Sequence, residues 1–296
     1  MTTFAQFKDV MAKLAPEHLQ SDSPSHQALL IPHRSDRLVR TYYAPFDHVN
    51  TEARLVLVGI TPGREQMNNA LRAARLAMIR GLDDSQVIAH AKQAASFSGP
   101  MREKLIEMLD HYGFNTRLGI HSCRELWGDA NHMVHFTSAL RNPVFCTKKG
   151  KEDNYTGGSP TLSTYAGFRA ALGDLREELL SVPKALVLPL GDKVASVIQT
   201  LVDTGDLPAD RVLNLAGKVV EFPHPSGANG ETQALALMPT LPQAETYAAS
   251  KLQAYRVKAA AKGKHLTQTE ERTYLNKRTS YWNRALSTRQ AIESMA

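Results

Sequence analysis

Two short turns hold the residues of this 296-residue chain whose types and spacing could do chemistry. The first is Gly59-Ile60-Thr61-Pro62-Gly63, which closes the apolar run 53–60. The second is His224-Pro225-Ser226-Gly227-Ala228-Asn229, which closes another apolar run about 160 residues later. A histidine side chain can donate a hydrogen bond or move a proton near neutral pH. A threonine hydroxyl can hold a water but cannot serve as a general base there. Serine hydroxyls and backbone amides at such turns suit phosphate oxygens. Either turn alone is weak: the first could be a plain strand-to-helix turn, and His-Pro-Ser occurs by chance. Both together, in this order and each behind an apolar strand, form a much more specific pattern.

The elements between them must bring the turns to one place. The continuous apolar run 53–60 suits a strand of a parallel sheet covered on both faces. A helix is expected over 64–80, a second over 83–95, and a third over 101–113, with Gly113 as its C-cap. Further strands are expected at 132–140, 184–192 and 217–230, and further helices at 161–180, at 193–202 and within 231–260. A short amphipathic helix is expected at 4–14. The stretch 141–160 is basic at first and rich in turn formers, which reads as a long functional or disordered loop. Alternating strands and helices predict an α/β fold, a three-layer αβα sandwich with a mainly parallel four-stranded central sheet. Ligands of such sheets bind at the carboxyl ends of the strands, where both turns sit.

Composition narrows the class. The chain is 43% hydrophobic and 22% charged, an ordinary soluble balance. It has no run of about 18 apolar residues, and its first residues do not read as a signal peptide, so neither a membrane span nor export is expected. Two cysteines, Cys123 and Cys146, cannot make a four-cysteine zinc or iron–sulfur site, and reduced thiols in a cytoplasmic protein are expected. The net charge is +6. Residues 251–296 hold ten Lys/Arg and three Glu, a balance of +7, which leaves the rest near neutral. The chain therefore divides by charge into a body, 1–245, and a basic, helical extension, 246–296. Such a tail suits a polyanion, most simply nucleic acid, or is a solvated helix with no partner. Tyr274, Tyr281 and Trp282 interleave its charges, either for base stacking or to dock it on the body. Arg141, Lys148, Lys149, Lys151 and Tyr155 give the loop after the second strand the character of a backbone contact or a lid.

The paired turns resemble the motifs of the uracil-DNA glycosylase superfamily, GQDPY, GINPG or GEAPG after the first core strand and HPSPLS, HPSPLN or NPSGLN after the last. Here they read GITPG and HPSGAN. The intervening GREQ, SFSG, VHFTSALRNP and ALVLPLGDKVA resemble further family segments, so the likeness spans about residues 50–240 and makes 1–245 the catalytic domain. It implies a monofunctional DNA glycosylase that flips a base out of the helix and hydrolyses its glycosidic bond. His224 would stabilise negative charge on the leaving base. Gly59, Ile60, Pro62 and Gly63 would line the base, with Phe97 stacked on it and Ser138 at its edge. Ser226, Gly227, Ala228 and Asn229 would meet the DNA backbone or the vacated stack, with Arg141, Lys148 and Lys149 beside them.

The departures are as informative. Thr61 stands where several branches have a water-positioning Asp or Asn, so Glu65 on the following helix becomes a substitute candidate base. Ser138 stands where an Asn reads the pyrimidine edge, and Ala228 stands in place of a Leu wedge. Smaller residues leave room for a larger base, and a hypermodified cytosine of phage DNA, excised in antiviral defence, joins uracil as a candidate substrate. The alternative is a catalytically inactive module of the same fold that binds DNA or a modified base. A third reading is an unrelated α/β enzyme for phosphorylated ligands. No cofactor and no iron–sulfur cluster are expected, and the chain is expected to be monomeric.

Overall fold

The computed structural model describes residues 3–20, 23–148 and 151–295. Its strands are β1 (Val39–Thr41), β2 (Leu55–Gly59), β3 (Val134–Ser138), β4 (Val144–Lys148), β5 (Lys151–Asn154), β6 (Leu186–Pro189), β7 (Asn214–Leu215) and β8 (Lys218–Val219). Its helices are α1 (Phe4–Lys13), α2 (Arg64–Ile79), α3 (Asp84–Ala95), α4 (Pro100–His111), α5 (Phe114–Leu118), α6 (Arg169–Leu180), α7 (Asp192–Asp203), α8 (Gly230–Ala236), α9 (Leu241–Ala260) and α10 (Gln268–Glu293).

The central sheet is parallel, in the order β3-β2-β6. Side chains alternate across a strand, and each face of this sheet is covered. Val56, Val58 and Val187 point into one core with Leu175 and Leu179 of α6 and Val194, Val197 and Ile198 of α7. Leu55, Leu57 and Leu188 point into the other, with Leu105 and Leu109 of α4, Phe114 of α5, and Ile292 from the end of α10. That burial on both sides is why the strands read as unbroken apolar runs. A third core joins α1, α2 and α3 to the N-terminal segment.

Three strands replace the four expected. The fourth position is filled by two isolated parallel bridges: Val187 pairs with Val212, and the carboxyl-end bridge joins Leu190 to Phe222. The latter is held by Gly191 N–H donating to the Phe222 carbonyl and Phe222 N–H donating to the Pro189 carbonyl, both at 2.8 Å. Pro223 and Pro225 flank the next residue, and a proline has no N–H to extend a ladder, so the pairing stops there. The stretch 141–160 is also not a plain loop. It contains β4 and β5, which pair antiparallel with each other and, through β4, with β1. Buried Phe145 and Cys146 supplied a strand signal that the neighbouring lysines masked. The helix expected from 161 begins only at Arg169.

The basic extension docks on the body. The charge boundary at 245 falls inside α9, and α10 packs against both α8 and α9. Trp282 is buried with Leu235 and Ala244, while Tyr274 stacks on Tyr255 with ring centroids 4.9 Å apart. Much of the positive charge is used internally. Arg289 donates to the carbonyls of Ala236 and Met238, Arg284 pairs with Glu221, and Arg256 pairs with Glu271. Arg278 is buried, grips both Glu231 oxygens at 2.6 and 2.7 Å, and lies over the Tyr274 ring. Charged bonds of this kind contribute about 1.5–3 kcal/mol each where they are buried. Glu231 is 38% exposed, so the lower part of that range applies. Arg278→Ala is expected to cost about 1–2 kcal/mol, read as a lower urea midpoint with unchanged slope. A midpoint unchanged from wild type would mean that α10 does not brace α8.

Candidate functional site

The first turn is held open by glycine. A Cβ on Gly59 would lie 3.3 Å from the Phe97 ring and 3.3 Å from the Ser138 hydroxyl. Gly59 and Ser138 are register partners on β2 and β3, so these three residues meet at one sheet end. At the start of α2, Gly63 has no capping side chain; Asn154 of β5 supplies it, its Oδ1 accepting from Arg64 N–H at 3.1 Å. The β4–β5 pair is therefore what steadies the helix behind the turn.

Thr61 is tied down at both ends. Its hydroxyl donates to the Asn142 carbonyl at 3.0 Å and accepts from Val144 N–H at 3.1 Å. Its one proton is used, and one lone pair remains for a water. Glu65 is exposed and rests against Gly99, where a Cβ would come within 2.7 Å of its carboxylate. It is not among the residues lining the cleft described next.

That cleft lies beside Gly59. Pro62, Phe97, Phe136 and Phe46 form its apolar walls, and Gln66, Ser138, Thr137, Lys92 and Arg141 its polar ones. Phe97 is buried and takes a φ of 50°, a left-handed conformation uncommon for a residue with a Cβ. The walls leave about 270 Å³ of unfilled space, in slots so narrow that about one water molecule fits. The room expected from Ser138 is taken up by the phenylalanines and by Arg141. Arg141 itself, expected on the DNA backbone, is buried and turned inward.

Behind the cleft one carboxylate gathers polar groups from three other segments. Glu178 of α6 accepts from His135 of β3 at 2.7 Å and from Lys92 of α3 at 3.3 Å, and it faces Arg141 at 3.8 Å. Arg141 also faces Asp47 at 4.0 Å, and Asp47 accepts from the Tyr43 hydroxyl. Burial alone would push Glu178 up; Lys92, the His135 hydrogen bond and Arg141 outweigh it and hold it at about 2. Burial, helped by Lys92, pushes His135 down to about 4. His135 is thus neutral at pH 7, its Nδ1 accepting from Asn50 N–H and its Nε2–H donated to Glu178.

The second turn stands across β2 from the cleft. His224 follows the Phe222 bridge and packs against Gly191, where a Cβ would come within 3.3 Å of its own Cβ. From Ser138 to Phe222 the sheet end spans three interstrand steps, about 14 Å. Burial pushes His224 down to about 4, against a weaker upward pull from Asp192. Its Nδ1 accepts from Ser226 N–H at 3.1 Å, which places the proton on Nε2. Among the described residues nothing bonds that Nε2. Gln233 of α8 is buried and donates to the carbonyls of His224 and Ser226 at 2.9 and 2.8 Å. Asn229 donates to the Ser226 hydroxyl, whose own proton remains available. Gly227 and Ala228 are exposed at the tip. Lys149 lies outside the described residues, as does the Lys148 side chain.

Gln66, Lys92, Glu178 and Gln233 were missed from the sequence. Lys92 and Glu178 look like ordinary exposed helix charges until their burial is known. Gln66 sits in the GREQ stretch and could have been flagged by that position. Among the described residues no group of three or more His, Cys, Asp or Glu could hold a metal ion, and no helix is long and apolar enough to cross a membrane. The arrangement puts a neutral imidazole N–H at the same end of the sheet as a slot of aromatic rings and hydrogen-bond donors.

A family model described as Uracil DNA glycosylase superfamily matches residues 46–245. Uncharacterized protein YoxB of Bacillus subtilis (strain 168) is 41% identical over 197 residues, 64% of this chain and 71% of that protein. Wild-type Pedobacter heparinus SMUG2 is similar at 17% identity and a TM-score of 0.36, over 76% of this chain and 88% of that one, a likeness too distant to argue from.

Glu178→Gln would leave the buried Lys92 without its carboxylate partner and Arg141 with Asp47 alone, at an expected cost of about 3–5 kcal/mol. Both Glu178 and His135 titrate lower in the fold than in the open chain, where their values are 4.5 and 6.5. The unfolded chain therefore binds protons first as pH falls, and stability declines with acid. The decline should begin below about 6.5 from His135 and continue from 4.5 towards 2 from Glu178. Urea midpoints from pH 7.5 to 3.5 test both, since the variant should lack the lower part of the decline. Equal midpoints and equal pH profiles for variant and wild type would contradict the cluster's role.

Proposed function

The chain belongs to the uracil DNA glycosylase superfamily, and on that premise we propose that it hydrolyses the glycosidic bond of a flipped, uracil-sized pyrimidine in DNA. Membership supports a DNA glycosylase-type function. The observation that carries the specific reading is His224, neutral, with its Nε2–H fixed by the Ser226 amide and no internal partner among the described residues.

Bond cleavage puts positive character on the deoxyribose and negative character on the base. A pre-aligned N–H aimed at a base carbonyl strengthens as that charge develops, and such donors contribute about 10²–10³ in rate. Phe97 would take the base face, and Gly59 would let the ring approach the β2 end. The available Ser226 proton and the exposed tip at Gly227 and Ala228 suit a phosphate. The electrophilic sugar would be met by a water held on the remaining Thr61 lone pair. Entry of the base requires the slot beside Phe97 to widen, which its left-handed backbone suits as a strained element. A glucosylated cytosine needs far more widening than uracil does, so the smaller base is the substrate proposed.

One observation favours a second reading. The slot in this state holds about one water, and the Thr61 proton is committed, as in a module that binds DNA without reacting.

The test uses single- and double-stranded oligonucleotides with one uracil, and glucosylated phage DNA, each probed for alkali-labile sites. Uracil-specific sites are expected, with His224→Ala slower by about 100-fold or more. The wild-type rate should show no inflection near 6.5 between pH 7.5 and 5.5, because His224 stays neutral down to about 4. Salt-sensitive DNA affinity with no base release would establish the binding module instead. Neither release nor affinity would remove the proposal.

A further inference from the structure

Ser138 is too short to read a pyrimidine edge as a carboxamide does, yet a carboxamide lines the same cleft from another element. Gln66 is in the first turn of α2 and is 8% exposed. Its Oε1 accepts the Phe97 N–H at 3.1 Å. Phe97 is the residue held at a φ of 50°, so this bond anchors the strained loop that carries the aromatic wall. The bond also fixes which way the amide faces. With the oxygen engaged, the opposite side of the group is Nε2 with its two hydrogens, and among the described residues nothing accepts from it.

The rest of that wall has the same sense. Arg141 Nε is buried with no hydrogen-bond partner, and an arginine can only donate. Lys92, also on the wall, donates to the His48 carbonyl at 2.5 Å and to Glu178, and it too can only donate. Thr137 Oγ1 is buried and unpartnered, and a hydroxyl adapts to either role. The side-chain wall is therefore rich in donors, and its one carboxamide oxygen is already used.

We propose that Gln66 is the specificity-determining residue of the base cleft, donating Nε2–H to the exocyclic 4-oxygen of the pyrimidine. The inference rests on the glycosylase reading above and deepens it. His224 and Gln66 approach the ring from opposite sides of the β2 end, as the 2- and 4-oxygens of one pyrimidine require. A base with an amino group at position 4 meets a donor with a donor and leaves Nε2 unpaired in a buried site, which is the strong form of rejection. The substrate class is a 4-oxo pyrimidine, and Gln66 performs the reading that Ser138 is too short to perform.

A change of substrate atom isolates this contact. Oligonucleotides carrying 2′-deoxyuridine or 4-thio-2′-deoxyuridine at one site differ in a single atom, and sulfur accepts hydrogen bonds weakly. Base release by wild type, Gln66→Leu and Gln66→Glu gives kcat/KM for each pair. Any difference in leaving-group strength is common to all three proteins and cancels in the comparison. The oxygen preference of wild type should exceed that of Gln66→Leu by about 10-fold or more. Gln66→Glu keeps an oxygen for the Phe97 N–H while placing an acceptor towards the base. It should remain folded and release uracil about 100-fold more slowly than wild type, with an oxygen preference no greater than that of Gln66→Leu. An oxygen preference equal in all three proteins would overturn the assignment and leave the glycosylase reading standing. A wild type that releases neither base would remove that reading and this inference together.

Discussion

The Glu178 carboxylate is the constraint on which the site depends. It is almost wholly buried, and it is the main counter-charge for Lys92 and Arg141, two cations that also form a wall of the cleft. Two cations in a dry wall would repel each other and be costly to desolvate. Glu178 offsets that cost and fixes where α3, β3, α6 and the segment after β3 sit relative to one another. The donor character of the cleft follows from the same arrangement. Because Glu178 takes up the cations on one side, the groups left facing the cleft are N–H hydrogens, with Arg141 Nε the clearest case.

The two sides of the sheet end are built by different means. The cleft side relies on charge and on a strained aromatic loop anchored by Gln66. The His224 side relies on neutral hydrogen bonds: the Ser226 amide sets the imidazole tautomer, and Gln233 holds the turn by two carbonyls. Gln233 stands on α8, a helix of 7 residues too short to be stable alone. Arg278, Arg289 and Trp282 of α10 brace it, so the basic extension contributes to the second turn through packing. Glycine links the sides, since any side chain at Gly59 or Gly191 would intrude on Phe97, Ser138 or His224.

Much of this was legible in the sequence. Unbroken runs such as 53–60 identify doubly covered strands, and the turns that follow them lie together at the carboxyl end of the sheet. The extent read from the motifs, about 50–240, matches the family segment 46–245. What stayed hidden depends on long-range contact. The fourth strand shrinks to isolated bridges, the last of them ended by Pro223 and Pro225, and the run of apolar residues before them does not disclose that. Lys92, Arg141 and Glu178 carry the same letters as solvated charges, and only the packed fold distinguishes them. Thr61 stood out as a departure in the turn, but its partners Asn142 and Val144 lie 81 and 83 positions away. The tail's internal pairing was hidden for the same reason, since five of its ten arginines and lysines bond carbonyls and carboxylates of the body and of its own helices.

The central claim is that one base ring is held between His224 and the Phe97–Gln66 wall over Gly59. A crystal structure with a duplex carrying 2′-fluoro-2′-deoxyuridine, whose glycosidic bond resists cleavage, tests it most directly. The account predicts an extrahelical uracil against the Phe97 ring, with His224 Nε2 within hydrogen-bond distance of the 2-oxygen and Gln66 Nε2 within that distance of the 4-oxygen. A duplex bound with its uracil still stacked, or a base seated away from the β2 end, would contradict it.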